Sequence, residues 1–321
     1  MALSEQLLAA IKGVYAGLDV RVVEVPHRCS YEGISLEGNF YYLTFRNGAP
    51  TVDEFAEYIY HRVIPYCLPR KIRSEKDQKY RSTGDPRYIH ELTDQARHLF
   101  AKARATRSKS GEPGEVILFV LLEAFLKAPQ IACKMYLKTS EEMPVHGSDG
   151  VHLACGSTAS SLRLIWGESK LFERISSAFD DIFESVGKFL SSNAGRTPRE
   201  RDLDIVRDHT DVEDPVLKEA LMRYFDPYAS ESLQLQEVFA CFVGFEYWPS
   251  SVGGGAEKEN VEAEFRKAYS ERIASACDLF VEKMKSAGLQ HLVFHILLIP
   301  FPSVSAFRAK FFQHLGVSHT D

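Results

Sequence analysis

The chain has 321 residues, 45% of them hydrophobic and 26% charged, with a formal net charge of −6. That balance excludes wholesale disorder and supplies enough apolar residues for a full core, in one large or two modest domains. The stretch nearest to a bilayer span, His291 to Phe301, falls short of the roughly 18–20 residues one needs and holds two histidines and a proline, so no membrane is expected among the partners. The opening MALSEQLLAAIKG lacks the basic start and small-residue cleavage site of a secretory signal, which predicts a cytoplasmic chain. Six cysteines lie scattered with no CxxC pair, against a zinc ribbon or disulfide scaffold, and most read as buried small hydrophobes.

Residues Leu18 to Pro26 and Gly38 to Phe45 are rich in β-branched and aromatic side chains between Gly, Asn and Pro, and read as strands. Thr51 then reads as a helix N-cap, followed by Asp53 and Glu54 and by Phe55, Tyr58, Ile59 and Ile64 at helical spacing. These elements make a small N-terminal α+β module, residues 1–85. Pro69 to Gly84 is polar and weakly periodic and reads as a linker or mobile loop. From Arg62 to Lys109, thirteen Lys/Arg stand against five Asp/Glu, a local +8 that leaves −14 for the rest of the chain. Such a run fits either a solvated surface or a polyanion contact.

The second domain, residues 86–321, begins with a helix over Pro86 to Ala105, striped by Leu92, Ala96, Leu99 and Phe100. A break at Gly111, Pro113 and Gly114 precedes EVILFVLLEAFL, Glu115 to Leu126, apolar enough for a helix buried on most sides. Strands are predicted at Gln130 to Leu137, Gly150 to Ala154 and Leu162 to Glu168, and a long amphipathic helix from Lys170 to Leu190. Helix, three strands and helix suggest an antiparallel meander in a layered α/β (α+β) domain. Further on, Pro215 to Tyr224 reads as helix, Leu233 to Tyr247 as strand, Glu259 to Ala287 as a long helix, His291 to Ile299 as strand and Val304 to Leu315 as a short helix.

Four residues in that meander carry the chemistry of metal-dependent phosphodiester hydrolysis. Asp149 sits in the loop HGSDG at the head of the second strand, and Glu115 opens the buried helix after Gly114. Glu168 and Lys170 end the third strand two residues apart, hence on one face, with Ser169 pointing away. Magnesium takes hard oxygen ligands in octahedral geometry, so Asp149, Glu168 and a backbone carbonyl such as that of Ser169 would hold one ion, with Glu115 adding a ligand or a second ion. Lys170 would orient the attacking water or neutralise phosphate charge.

This order, a Glu on a helix, an Asp on one strand and Glu-x-Lys on the next, resembles the PD-(D/E)xK nuclease superfamily. The segments SGEPGEVILFVLLEAFL, Lys134 to Lys138, HGSDGVHL and LRLIWGESK resemble, more narrowly, the HamA family, the nuclease effectors of the Hachiman anti-phage defence system. The resemblance spans about 60 residues, from Gly111 to Lys170. It implies a PD-(D/E)xK core with an N-terminal α+β module and helical C-terminal additions. It implies a DNA endonuclease dependent on Mg²⁺ or Mn²⁺, with Glu115, Asp149, Glu168 and Lys170 as its site, restrained by a superfamily 2 helicase partner of HamB type. One departure is Ser148, where the superfamily name has proline before the Asp.

Other features have plainer readings beside them. A Glu-x-Lys tripeptide alone is also a surface ion pair. Lys134, Tyr136 and Lys138 alternate with apolar neighbours as on a half-buried strand, either solvated or touching phosphate. His146 and His152, flanking Asp149, read as hydrogen-bonded residues before they read as bases or DNA contacts. The acidic stretch from Arg201 to Asp214 lacks the glycine and terminal Glu of a calcium loop and reads as solvated surface, and Gly253 to Gly255 lack the Lys-Ser/Thr of a phosphate loop. Phe242 to Trp248 and the C-terminal helix are candidates for a partner surface. Two alternatives to a DNA nuclease stay open on the residues alone: a nuclease acting on RNA, and a non-catalytic subunit that regulates a helicase.

Overall fold

The computed structural model describes residues 6, 9, 15–105, 112–137, 147–158, 161–192, 195–250, 252 and 260–316. Gly111, Lys138, His146 and Gly253 to Gly255, singled out in the sequence, lie outside the described residues. In chain order the elements are β1 (Val22–Glu24), β2 (Ser35–Leu43), β3 (Phe45–Arg46), β4 (Ala49–Pro50), α1 (Val52–Tyr60), α2 (Val63–Cys67), α3 (Arg70–Thr83) and α4 (Arg87–Ala105). There follow α5 (Glu112–Ala124), β5 (Gln130–Ala132), α6 (Lys134–Leu137), β6 (Gly150–Cys155), β7 (Leu162–Phe172), α7 (Ile175–Leu190) and α8 (Pro198–His209). The last are α9 (Pro215–Phe225), β8 (Leu235–Glu246), α10 (Val261–Ser286), β9 (Val293–Phe301) and α11 (Val304–Leu315). The chain is thus mixed α/β, as its composition and periodicities predict.

The described residues form two compact units, each from separate stretches of chain. The first gathers those between 61 and 167 and between 189 and 237; the second, those between 15 and 60, 168 and 188, and from 238 on.

In the first unit, β5, β6 and β7 pair in that order, antiparallel, with Gly150 opposite Gly167 and His152 opposite Ile165. Helix α5 is buried on all sides: Val116 to Leu122 are each at most 3% exposed. An apolar helix of that kind has no solvent face to present and belongs inside a core. Beside it, Phe119 meets the ring of Tyr66 on α2 edge-on, and Tyr66 in turn meets Phe100 on α4.

Three readings are corrected here. Pro69 to Gly84 is no loop but helix α3, closed by Gly84 in the left-handed conformation (φ 70°), where glycine costs least. Its side chains include none that is buried, so periodicity carries no signal; good helix formers, the Asp77–Arg81 pair one turn apart and the Lys76–Glu91 pair to α4 hold it instead. The strand predicted over Gln130 to Leu137 stops at Ala132 and turns into α6, because Lys134 is drawn inward to a buried partner described below. The acidic stretch is not a solvated surface throughout: it holds α8, opened by a Thr197/Glu200 capping box with Pro198 in its first turn, and Asp202 and Asp211 are 1% and 8% exposed.

In the second unit the strand order is β1-β2-β9-β8-β7. β2 and β8 both run parallel to β9, and α10 is the crossover from β8 to β9. Alternation along β9 fixes the faces. Phe294 packs against Phe183 of α7 and Phe280 of α10, whereas Phe301, of opposite parity, packs against Phe55 of α1 and Phe307 of α11. Both faces are therefore covered, which is why β8 and β9 read as almost continuous apolar runs. These strands are inner members of a sheet, so the C-terminal part is not only helical additions. Phe242 and Phe245 are core side chains, and of the proposed partner-facing stretch Trp248 is 40% exposed, stacked on Phe45. β7 runs on to Phe172, and α7 starts at Ile175 rather than at Lys170.

Phe280 touches Phe179, Phe183 and Phe294, and Phe280→Ala is expected to destabilise the second unit by about 3–5 kcal/mol through lost burial and a cavity. A urea unfolding curve followed by circular dichroism measures it.

Candidate active site

Glu115 stands in the first turn of α5, where a carboxylate suits the helix N-terminus, yet it is only 2% exposed. The Tyr66 hydroxyl donates to its Oε2 at 2.5 Å. Burial first, then the neighbouring Glu115 and, more weakly, Asp149, push the Tyr66 hydroxyl pKa far up, so it stays a donor. Glu115 and Asp149, the two candidate site carboxylates of the first unit, are thus within electrostatic reach of one phenol.

Asp149 is half-buried in the turn ahead of β6, and its N–H donates to the Gly167 carbonyl at 2.8 Å, extending the β6/β7 ladder by one bond. The turn in front of it rests on a buried ion pair. Lys134 Nζ, on a side chain 2% exposed, donates to both carboxylate oxygens of Asp202 at 3.0 and 2.8 Å and to the Ser148 carbonyl at 2.5 Å. Asp202 Oδ2 also accepts from the Ser148 N–H at 3.0 Å and from its hydroxyl at 2.8 Å. A Cβ at Gly147 would stand 2.5 Å from Asp202, so only glycine lets the turn close over the carboxylate. Lys134 is therefore neither solvated nor free to meet phosphate; it holds the loop that carries Asp149.

A second network stands beside it. Arg70 binds Asp211 through its backbone N–H and its guanidinium, donates to the Gln130 carbonyl at 2.7 Å, and pairs with Glu123 at 3.4 Å. The first residue of the basic helix α3 thus serves the fold. His152 is an internal residue of β6, its Nδ1 2.9 Å from the Ala128 carbonyl, and burial depresses its pKa to about 4. His152 is thus a hydrogen-bonded interior side chain, and neither base nor DNA contact fits it.

In the second unit, the two-residue spacing on β7 puts Glu168 and Lys170 side by side, Nζ to Oε1 at 2.9 Å, while Ser169 between them is buried. Lys170 also pairs with Asp181 of α7 at 2.6 Å and lies 3.3 Å from the Ser185 hydroxyl. Its ammonium is held between two carboxylates.

Tyr66 and Asp181 carry no signal in the sequence, and Lys134 and Asp202 read there as strand-face and surface charges rather than as a buried pair. Each reaches its partner over a chain separation that no local motif encodes; for Lys134 and Asp202 it is 68 residues.

The profile of the HamA family matches residues 22–315. The chain belongs to the HamA family. The match extends well beyond the 60-residue resemblance, taking in β1 and α11, so this HamA chain is a member over nearly its whole length and a component of the Hachiman class of antiviral defence systems. No curated protein matches it. Among the described residues, no helix is long and apolar enough to cross a membrane.

Two outcomes are expected from these networks. Lys134→Met leaves Asp202 buried without its counter-charge and should cost about 3–5 kcal/mol, and adding Asp202→Leu should restore part of the loss; thermal unfolding of the three variants tests this. The His152 pKa lies below the ordinary 6.5, so the unfolded chain binds the proton more readily than the fold does. Stability should accordingly fall by about 3 kcal/mol as pH drops from about 6.5 towards 4, and the His152 ring signals should titrate with a midpoint near 4 by NMR.

Proposed function

We propose that this chain is a metal-dependent DNA endonuclease of PD-(D/E)xK type, the effector of a Hachiman defence complex in which a superfamily 2 helicase restrains it. The observation that carries the reading is the Glu168/Lys170 pair on β7 in a chain that is HamA over residues 22–315. In this reading Asp149 and Glu168 bind Mg²⁺ or Mn²⁺ with the Ser169 carbonyl, and Glu115 assists. Their oxygens are the hard donor class these ions select, so the residues fit the ion. When bound, the ion supplies charge neutralisation at the phosphate and a more acidic water.

The protein's own groups do the rest. Lys170, set between Glu168 and Asp181, offers its ammonium protons to the attacking water or the non-bridging phosphate oxygens. Tyr66 fixes one oxygen of Glu115, so that carboxylate enters the reaction already oriented. The Lys134–Asp202 pair keeps the backbone before Asp149 from shifting as charge develops. The exposed cations of α3 and α4 favour a polyanionic substrate, and their contribution should fall steeply with salt.

The expected outcome is nicking or linearisation of plasmid DNA with Mg²⁺, abolished by EDTA and reduced at least about a hundredfold in Glu168→Ala and in Lys170→Ala, with suppression by the neighbouring helicase. Cleavage of RNA alone would change the substrate class. No cleavage of either, alone or with helicase and ATP, would overturn the catalytic reading in favour of a regulatory subunit.

A further inference from the structure

In the second unit, the segment between β1 and β2 brings together three donors that the proposed nuclease does not use. His27 and Cys29 lie two residues apart on an irregular, extended stretch, so their side chains lie on one side of it with Arg28 between. Cys277 projects from α10 and is buried. The imidazole nitrogen of His27 and the sulfurs of Cys29 and Cys277 all lie within 4.8 Å of one another, the sulfurs 2.7 Å apart. Beside them the Tyr31 hydroxyl donates to Asp278 at 2.7 Å, a second tie between this segment and α10.

The geometry points to a binding site for one thiophilic d¹⁰ cation, Zn²⁺ in the first instance, ligated by His27, Cys29 and Cys277 with a fourth position left to water. Two thiolates and an imidazole are the donors that select such an ion over Mg²⁺. A disulfide would leave the imidazole without a part in the cluster, and all six cysteines stand as free thiols. With Zn–S bonds of about 2.3 Å, tetrahedral ligation sets the sulfurs about 3.7 Å apart. They would therefore part by about 1 Å, a displacement the strand-free segment of Cys29 can take up while Cys277 stays on its helix. Two thiolates balance the charge of a divalent ion, so loading brings no net charge into the half-buried cluster. The ion would fasten the β1/β2 connection to α10 across 248 residues of chain.

The test uses the full chain purified under reducing conditions, with Zn²⁺ and Co²⁺ as probes. About one zinc should remain per chain after gel filtration, by elemental analysis, and cobalt should give the thiolate-to-metal charge-transfer absorption that carboxylate sites lack. Cys29→Ser, at a half-buried position that tolerates the change, should lose both signals, and Cys277→Ser likewise. His27→Ala should keep the absorption but weaken zinc binding by about tenfold or more. Zinc retained by Cys29→Ser, no charge-transfer band in the wild type, or two thiols that react with an alkylating agent only after reduction would each overturn the site. Glu168→Ala should retain the zinc, which separates this site from the proposed nuclease centre.

Discussion

Burying the Lys134 ammonium is the constraint around which the first unit is arranged. An unpaired ammonium at 2% exposure would be intolerable in that interior, and the fold answers it with Asp202 and the Ser148 carbonyl. Meeting that demand ends β5 after three residues and turns the chain into α6. It also brings α8 under the turn of residues 147 and 148 and forbids a side chain at Gly147. The reward is positional, because a hydrogen-bonded buried charge fixes backbone more narrowly than apolar packing does. What it fixes is the residue before Asp149.

The second unit is organised differently, by a sheet covered on both faces. Parallel strands need crossovers, and α10 supplies one between β8 and β9. With aromatic side chains on each face of β9, its backbone has little latitude, and strands on such a sheet are rigid supports for polar side chains at their ends. Glu168 and Lys170 sit near the end of β7, where alternation alone sets which way they point.

What was legible in the sequence follows from what is local. α11 is found at its predicted bounds, Val304 to Leu315, and α4, α5, α9 and α10 lie close to theirs because an apolar stripe or an apolar run marks each. The shared face of Glu168 and Lys170 was legible because a spacing of two needs only a strand. α3 was not, since a helix with every side chain in or near water leaves no hydrophobic period to detect. α8 did leave a mark, the Thr197-Pro198-x-Glu200 opening, but its acidic composition drew attention to charge rather than to capping. The pairing of β2 with β9 was beyond reach, because it joins segments more than two hundred residues apart and rests on core shape rather than on any motif.

The charge map acquires a different meaning once the ion pairs are placed. The run from Arg62 to Lys109 is basic by +8, but it is not one surface. Arg70 is spent on Asp211, Gln130 and Glu123, Arg73 donates to the Leu68 carbonyl, and Lys76 faces Glu91. The cations that remain outward, Lys79 and Arg87 among them, lie on α3 and α4, where Lys79 and Arg87 sit with Lys76 over the ring of Tyr88. A short patch of this kind attracts a polyanion over about a Debye length, against the long-range repulsion of an otherwise acidic chain. Such a balance yields weak, salt-sensitive binding by the chain alone. Under the proposed function, a partner that delivers the substrate would set when so local an attraction is strong enough to matter.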